Sequence, residues 1–174
     1  MNNPTFLPME PDGEPEYYTA PDIPITITGF SIRDPESGKL FFQKTEDTLV
    51  TGRFEPIPAV PMENGICYVL PKSFIDAKTI ACQVTLRNLT EIGITNLTIK
   101  EEHYLLGNPL QNFEFTCPFL APLSYNTWEN IYEPGFTINR TLRDALLKGP
   151  WSVVTRIYVE ERLVLKNQAI LRFD

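Results

Sequence analysis

No lysine or arginine precedes Arg33 in this chain of 174 residues, which holds one histidine and three cysteines in all. An N-terminus without a basic segment ahead of an apolar core lacks the pattern of a secretory signal, so a cytoplasmic protein is expected. No apolar run approaches the length of a bilayer span, which argues against stable membrane insertion. The second residue is Asn2 rather than glycine, and the end Leu171-Arg172-Phe173-Asp174 has no prenylation cysteine, so no lipid anchor of its own is expected. Cys67, Cys82 and Cys117 are far apart and form no C-x-x-C, which speaks against a disulfide framework or a zinc site. They read as small reduced hydrophobes, and no metal or cofactor is expected. Asn88, Asn96 and Asn139 each begin a glycosylation pattern, but without a secretory route these are chance matches. With a net charge of -7 the chain also lacks the basic surface that nucleic acid requires.

What is present is ordinary globular material, 43% hydrophobic and 11% aromatic, in a length that suits one domain. Residues 1–22 stand apart, with Pro4, Pro8, Pro11, Pro15 and Pro21 among Glu10, Asp12, Glu14, Glu16 and Asp22. That composition cannot bury enough to offset its ordering entropy, so a flexible acidic extension is expected there, with one domain over 23–174.

From Ile23 onward the signals are mostly β. Strands are expected over Ile23–Arg33, Leu40–Gln43, Cys67–Leu70, Lys78–Arg87, Thr95–Leu106, Asn112–Leu120, Ser152–Glu160 and Leu163–Phe173. Several alternate with period two: Ile80, Cys82, Val84 and Leu86 share a side, as do Leu163, Leu165, Ala169, Leu171 and Phe173, with Asn167 the exception. One-sided burial over many short strands means an all-β sandwich of two antiparallel sheets, immunoglobulin-like in class. Glu55–Pro61, rich in proline, reads as a loop or edge segment. Helix is expected over Arg140–Lys148, behind Asn139 and stopped by Gly149-Pro150, and a capping box at Asn126-Thr127-Trp128-Glu129 predicts a short helical turn through Tyr132.

One strand carries the chemistry. In Leu97–Leu105 the alternation puts Leu97, Ile99, Glu101, His103 and Leu105 on one side, so a carboxylate and the histidine interrupt an apolar face. The next strand places Phe113, Phe115, Cys117 and Phe119 together, across a turn at Leu106-Gly107-Asn108-Pro109. Either Glu101 and His103 satisfy each other as a buried pair, or a bulge turns one of them to solvent, or the face lines a cavity where a greasy ligand presents a polar head.

Gly29-Phe30-Ser31-Ile32-Arg33-Asp34 followed by Glu36-Ser37-Gly38-Lys39-Leu40-Phe41-Phe42 resembles the opening hairpin of the GMP-phosphodiesterase delta-subunit superfamily. Glu101-Glu102-His103-Tyr104, Phe113-Glu114-Phe115, Asn126-Thr127, Ile131-Tyr132 and the run Glu161–Ala169 follow in that family's order, over about Ile27–Phe173. These motifs resemble the uncoordinated-type branch, which binds N-myristoylated proteins, more than the delta subunit with its prenylated cargo. Cys82 stands where a prenyl binder would place a basic residue. The resemblance implies a lipid pocket lined by Phe30, Tyr68, Phe74, Phe113, Phe115 and Tyr132, with Glu101 and His103 at the ligand's polar end. It places Ile157 and Leu171 where tyrosines are expected. It also implies lipidated cargo, myristoylated with prenylated as the alternative, an Arf-like small GTPase in its GTP state as releasing partner, and a role at cilia or flagella. Two rivals remain: a hydrolase, which lacks a G-x-S-x-G elbow or other activated serine, and a solid-cored interaction module that takes up no lipid.

Overall fold

The structure is a computed structural model and describes residues 18–45, 53–56 and 65–174. The expectations for residues 1–17 and 57–61 lie outside the described residues. Within them the chain forms β1 (Tyr18–Thr19), β2 (Ile25–Arg33), β3 (Leu40–Thr45), β4 (Arg53–Pro56), β5 (Gly65–Leu70), β6 (Ile80–Asn88), β7 (Ile94–Leu105), β8 (Asn108–Leu120), β9 (Tyr125–Tyr132), α1 (Arg140–Lys148), β10 (Trp151–Val159) and β11 (Arg162–Phe173), with a 3-10 turn at Lys72–Phe74.

The strands make two sheets. The larger runs β4-β5-β11-β10-β7-β8 with β1 also on β11, and the smaller runs β3-β2-β6-β9. Pairing is antiparallel except where β5 lies parallel to β11, with Leu171 beside Tyr68. The all-β sandwich is as expected, with that one parallel joint. β1 takes the other half of the β11 edge, through Tyr18 beside Lys166, and Ala20 is buried next to it. The sandwich therefore takes in residues from the end of the acidic segment, and Asp22 pairs with Arg162.

Period-two burial drives the assembly, each enclosed Leu, Ile or Phe contributing about 1.5–3 kcal/mol. The facing sides pack into two separate clusters. One holds Ile32, Phe42, Leu70, Phe74, Ile80, Leu146, Trp151 and Leu171, and the other Ile25, Leu86, Ile94, Leu97, Ile99, Leu120, Ile157 and Val164.

The β7–β8 hairpin turns on Leu106 and Gly107, both at positive φ (52° and 79°), the geometry whose twist matches two antiparallel strands. The turn is tighter than its sequence suggests, and Pro109 sits inside β8, tolerated because β8 is an edge strand. A bulge opposite His103/Tyr104 puts the extra residue, Leu110, on β8, while β7 alternates without interruption and keeps His103 inward with Glu101. The α1 helix forms as expected: Asn139 caps it by accepting from the Leu142 N–H at 2.8 Å.

Two expectations are corrected. The Asn126 capping box forms no helix, because β9 runs through it as the edge of the smaller sheet. Glu129 is engaged by Arg33 across that sheet at 2.7 Å, and Trp128 tucks into the aliphatic cluster, so alternation overrides the cap signal. Phe119 leaves the inner face and is 55% exposed. Its ring lies over Gly93, where a Cβ would stand 2.2 Å from Cε2.

Candidate functional site

Period two sorts the neighbouring acids of β7. Glu102 faces outward, 2.8 Å from the Arg156 guanidinium, and accepts from the Tyr104 hydroxyl. Glu101 faces inward. There, between the two clusters, lies a cavity of about 160 Å³.

Its wall is largely apolar. The structure brings Phe30, Tyr68, Phe74, Glu101, His103, Tyr132, Ile157 and Leu171 together around it. Phe113 and Phe115, expected in the lining, stand one row behind. They sit on the edge strand β8, opposite Glu101 and Ile99, and pack at a tilt against Tyr132 with ring centroids 4.3 and 5.9 Å away. The three rings fill the gap between edge strands β8 and β9, while Phe113 also meets the His103 ring edge-on at 5.7 Å.

Sequence reasoning names only Ile157 from β10. Val153 and Thr155 line the cavity with Ile157, at alternate positions that the expected strand Ser152–Glu160 already contained. Asn167, the exception on an apolar face, also reaches the wall. Register places Glu101, Thr155 and Asn167 side by side across three strands, so a polar row crosses the floor.

His103 is 5% exposed. Its Nδ1 receives the Trp151 indole N–H at 3.1 Å, with the Gln111 amide nitrogen 3.4 Å away. Its Nε2 is buried and has no hydrogen-bond partner, and the nearest Glu101 oxygen, at 3.6 Å, is too far to be one. A buried donor or acceptor left unpaired costs about 1–3 kcal/mol, a cost that a bound ligand can relieve. The mutual-satisfaction account of Glu101 and His103 does not hold.

Burial, reinforced by the Glu101 charge, pushes the Tyr68 phenol well above its ordinary range, and the Cys82 thiol likewise. Burial also raises the Tyr132 hydroxyl, which lies 3.7 Å from the Cys82 sulfur. All three are neutral at physiological pH. Among the described residues no group of three His, Cys, Asp or Glu side chains is placed to hold a metal ion. No helix among them is long and apolar enough to cross a membrane.

A sandwich that keeps an apolar hollow with a small polar patch between its sheets is, as a class, a ligand-enclosing β protein. The comparison with known proteins narrows this. Residues 22–173 match the family model described as GMP-PDE, delta subunit, and the chain belongs to that family. Within it, the chain is similar to Protein unc-119 homolog B of Homo sapiens, 26% identical over 155 residues that cover 83% of this chain and 60% of that protein. It is likewise similar to the Protein unc-119 homolog of Drosophila melanogaster, 25% identical over 170 residues, or 86% and 63% of the two chains. The match spans about three fifths of the length of these relatives.

Proposed function

We propose that this protein is a non-catalytic carrier that encloses the fatty chain of an N-myristoylated protein, with the first peptide groups of the cargo at Glu101 and His103. The observation that carries the reading is the unpartnered Nε2 of His103, buried in the wall of an apolar cavity beside a carboxylate. Enclosing hydrocarbon is worth about 0.8 kcal/mol per methylene, so a myristoyl chain gains roughly 10 kcal/mol before costs. A single myristoyl group holds a bilayer only marginally, which lets a soluble protein extract it.

The wall cannot tell one alkyl chain from another, so selectivity falls to the polar head. Within one trans peptide the C=O and N–H point in opposite directions. Nε2 and Glu101 therefore suit the C=O of one peptide group and the N–H of a neighbouring one. A cavity of about 160 Å³ is close to the volume in which engineered cavities take up benzene, less than half of a myristoyl chain. Loading therefore moves wall side chains. Release is assigned to a GTP-loaded Arf-like GTPase, as the family resemblance implies, and linkage then requires cargo to weaken GTPase binding equally.

Titration with a myristoyl-glycyl peptide, its unacylated form and a farnesylated peptide tests the reading. The myristoyl peptide should bind tightest and the unacylated one not measurably, and His103→Ala should weaken the former about tenfold. Tighter farnesyl binding would transfer the cargo to the prenyl class, and no acyl dependence would end the reading.

A further inference from the structure

Trp151 is 3% exposed at the start of β10 and packs against Phe74, Phe136 and Phe173. A phenyl ring could make those contacts. The indole N–H does something else: it points at His103 Nδ1 in a buried hydrogen bond of 3.1 Å. Indole nitrogen donates and cannot accept, so Nδ1 carries the lone pair and the imidazole proton sits on Nε2. Gln111 agrees. Its Oε1 accepts from the Gly135 N–H at 2.7 Å, which leaves its NH₂ facing Nδ1.

We infer that Trp151 is a positioning residue that holds His103 as the Nε2–H tautomer, so that the head of the cavity presents a donor beside the Glu101 acceptor and selects an acylated peptide over a free fatty acid. The inference rests on the lipid-carrier reading and names the class of head group that this site takes. With the other tautomer, Nε2 and Glu101 would be two acceptors side by side, a site for a hydroxyl or ammonium head. With this one, a peptide backbone supplies both the acceptor and the donor required. A fatty acid carboxylate has no N–H for Glu101 and meets a like charge there. The placement of one proton decides between these ligands, and Trp151 is the nearer of the two donors that fix it, with the Gln111 amide at 3.4 Å the weaker second.

The chain has a single histidine, so a full-length sample labelled with ¹⁵N-histidine and carrying no added histidines gives one imidazole spectrum. In the unmodified protein Nδ1 should resonate as a pyridine-type and Nε2 as a pyrrole-type nitrogen. Trp151→Phe, which keeps the ring packing and removes the N–H, should convert this to a tautomer mixture. It should also lower affinity for a myristoyl-glycyl peptide about fivefold to tenfold and shrink its preference over myristate. An Nδ1–H tautomer in the unmodified protein overturns the inference without any variant, as does a Trp151→Phe spectrum unchanged from the parent. Failure of the unmodified protein to bind the acyl peptide removes the carrier reading instead, and the spectrum reports on Trp151 separately.

Discussion

The two packed clusters that flank the cavity are made of different material. The far end is aliphatic and closed by Asn88, fully buried, whose amide donates to the carbonyls of Ile92 and Ala121 at 2.9 and 3.0 Å. Its carbonyl oxygen accepts from the Thr90 N–H and hydroxyl, at 2.9 and 2.8 Å, so the loop ends are tied by one side chain. The near end adds aromatic rings to aliphatic residues such as Leu70, Ile80 and Leu146. Phe30, Phe42 and Tyr68 meet at centroid distances of 4.9–6.2 Å, and Phe74 rides on a 3-10 turn rather than a strand. Flat rings on two torsions can swing where interlocked branched side chains cannot. On the carrier reading proposed above, the aliphatic end should bear mainly on stability and the aromatic end on how much ligand fits.

The largest expected effect falls on the aliphatic end. Leu86→Ala, at a fully buried position, should lower unfolding free energy by about 3–4 kcal/mol while changing acyl-peptide affinity less than about twofold. Denaturant midpoints and a binding titration read the two separately. Val153→Phe should do the reverse. Placed in the wall between His103 and Ala169, the larger ring occupies the hollow, changing stability by about 1 kcal/mol and weakening acyl-peptide binding roughly a hundredfold, or about 2.7 kcal/mol. A loss of affinity in the first variant or its retention in the second would erase the distinction between the ends.

The smallest effect concerns the cover of the aromatic end, where Arg143 of α1 pairs with Asp76 at 2.9 Å. The guanidinium, through its hydrogen bonds, holds the Asp76 carboxyl below the ordinary carboxylate range. Because its pKa is depressed on folding, the stabilisation is present above the unfolded value and is lost as pH falls through the folded one. Arg143→Ala should lower the denaturant midpoint only slightly at neutral pH, and the difference from the parent should fade as pH drops below about 4. Unfolding curves at both pH values check this.

Much of this arrangement was legible in the sequence, for reasons that differ by element. Alternation and helix end signals are local, so the first gives the β7 face and the second gives α1 with its Asn139 cap from the residues alone. Alternation also placed Glu101 and His103 together, because residues two apart on a strand always share a face. The capping-box signal at Asn126 was outweighed by partners distant in sequence, Arg33 for Glu129 and the aliphatic cluster for Trp128. Alternation puts Phe113 and Phe115 on one face of β8, but β8 being an edge strand is a property of sheet order, which alternation does not encode. The link from Trp151 to His103 crosses 48 residues and depends on the β7–β10 pairing, so no local pattern announces it.

The central claim is that an acyl chain lies in the hollow between the sheets with its peptide end at Glu101 and His103. Intermolecular NOEs from a ¹³C-myristoylated glycyl peptide to the methyl groups of the protein test it most directly. The account predicts contacts from the chain methylenes to Val153, Ile157 and Leu171, with the glycine protons near His103. Contacts confined to methyl groups on the outer faces of the sheets, with none to these residues, would contradict it.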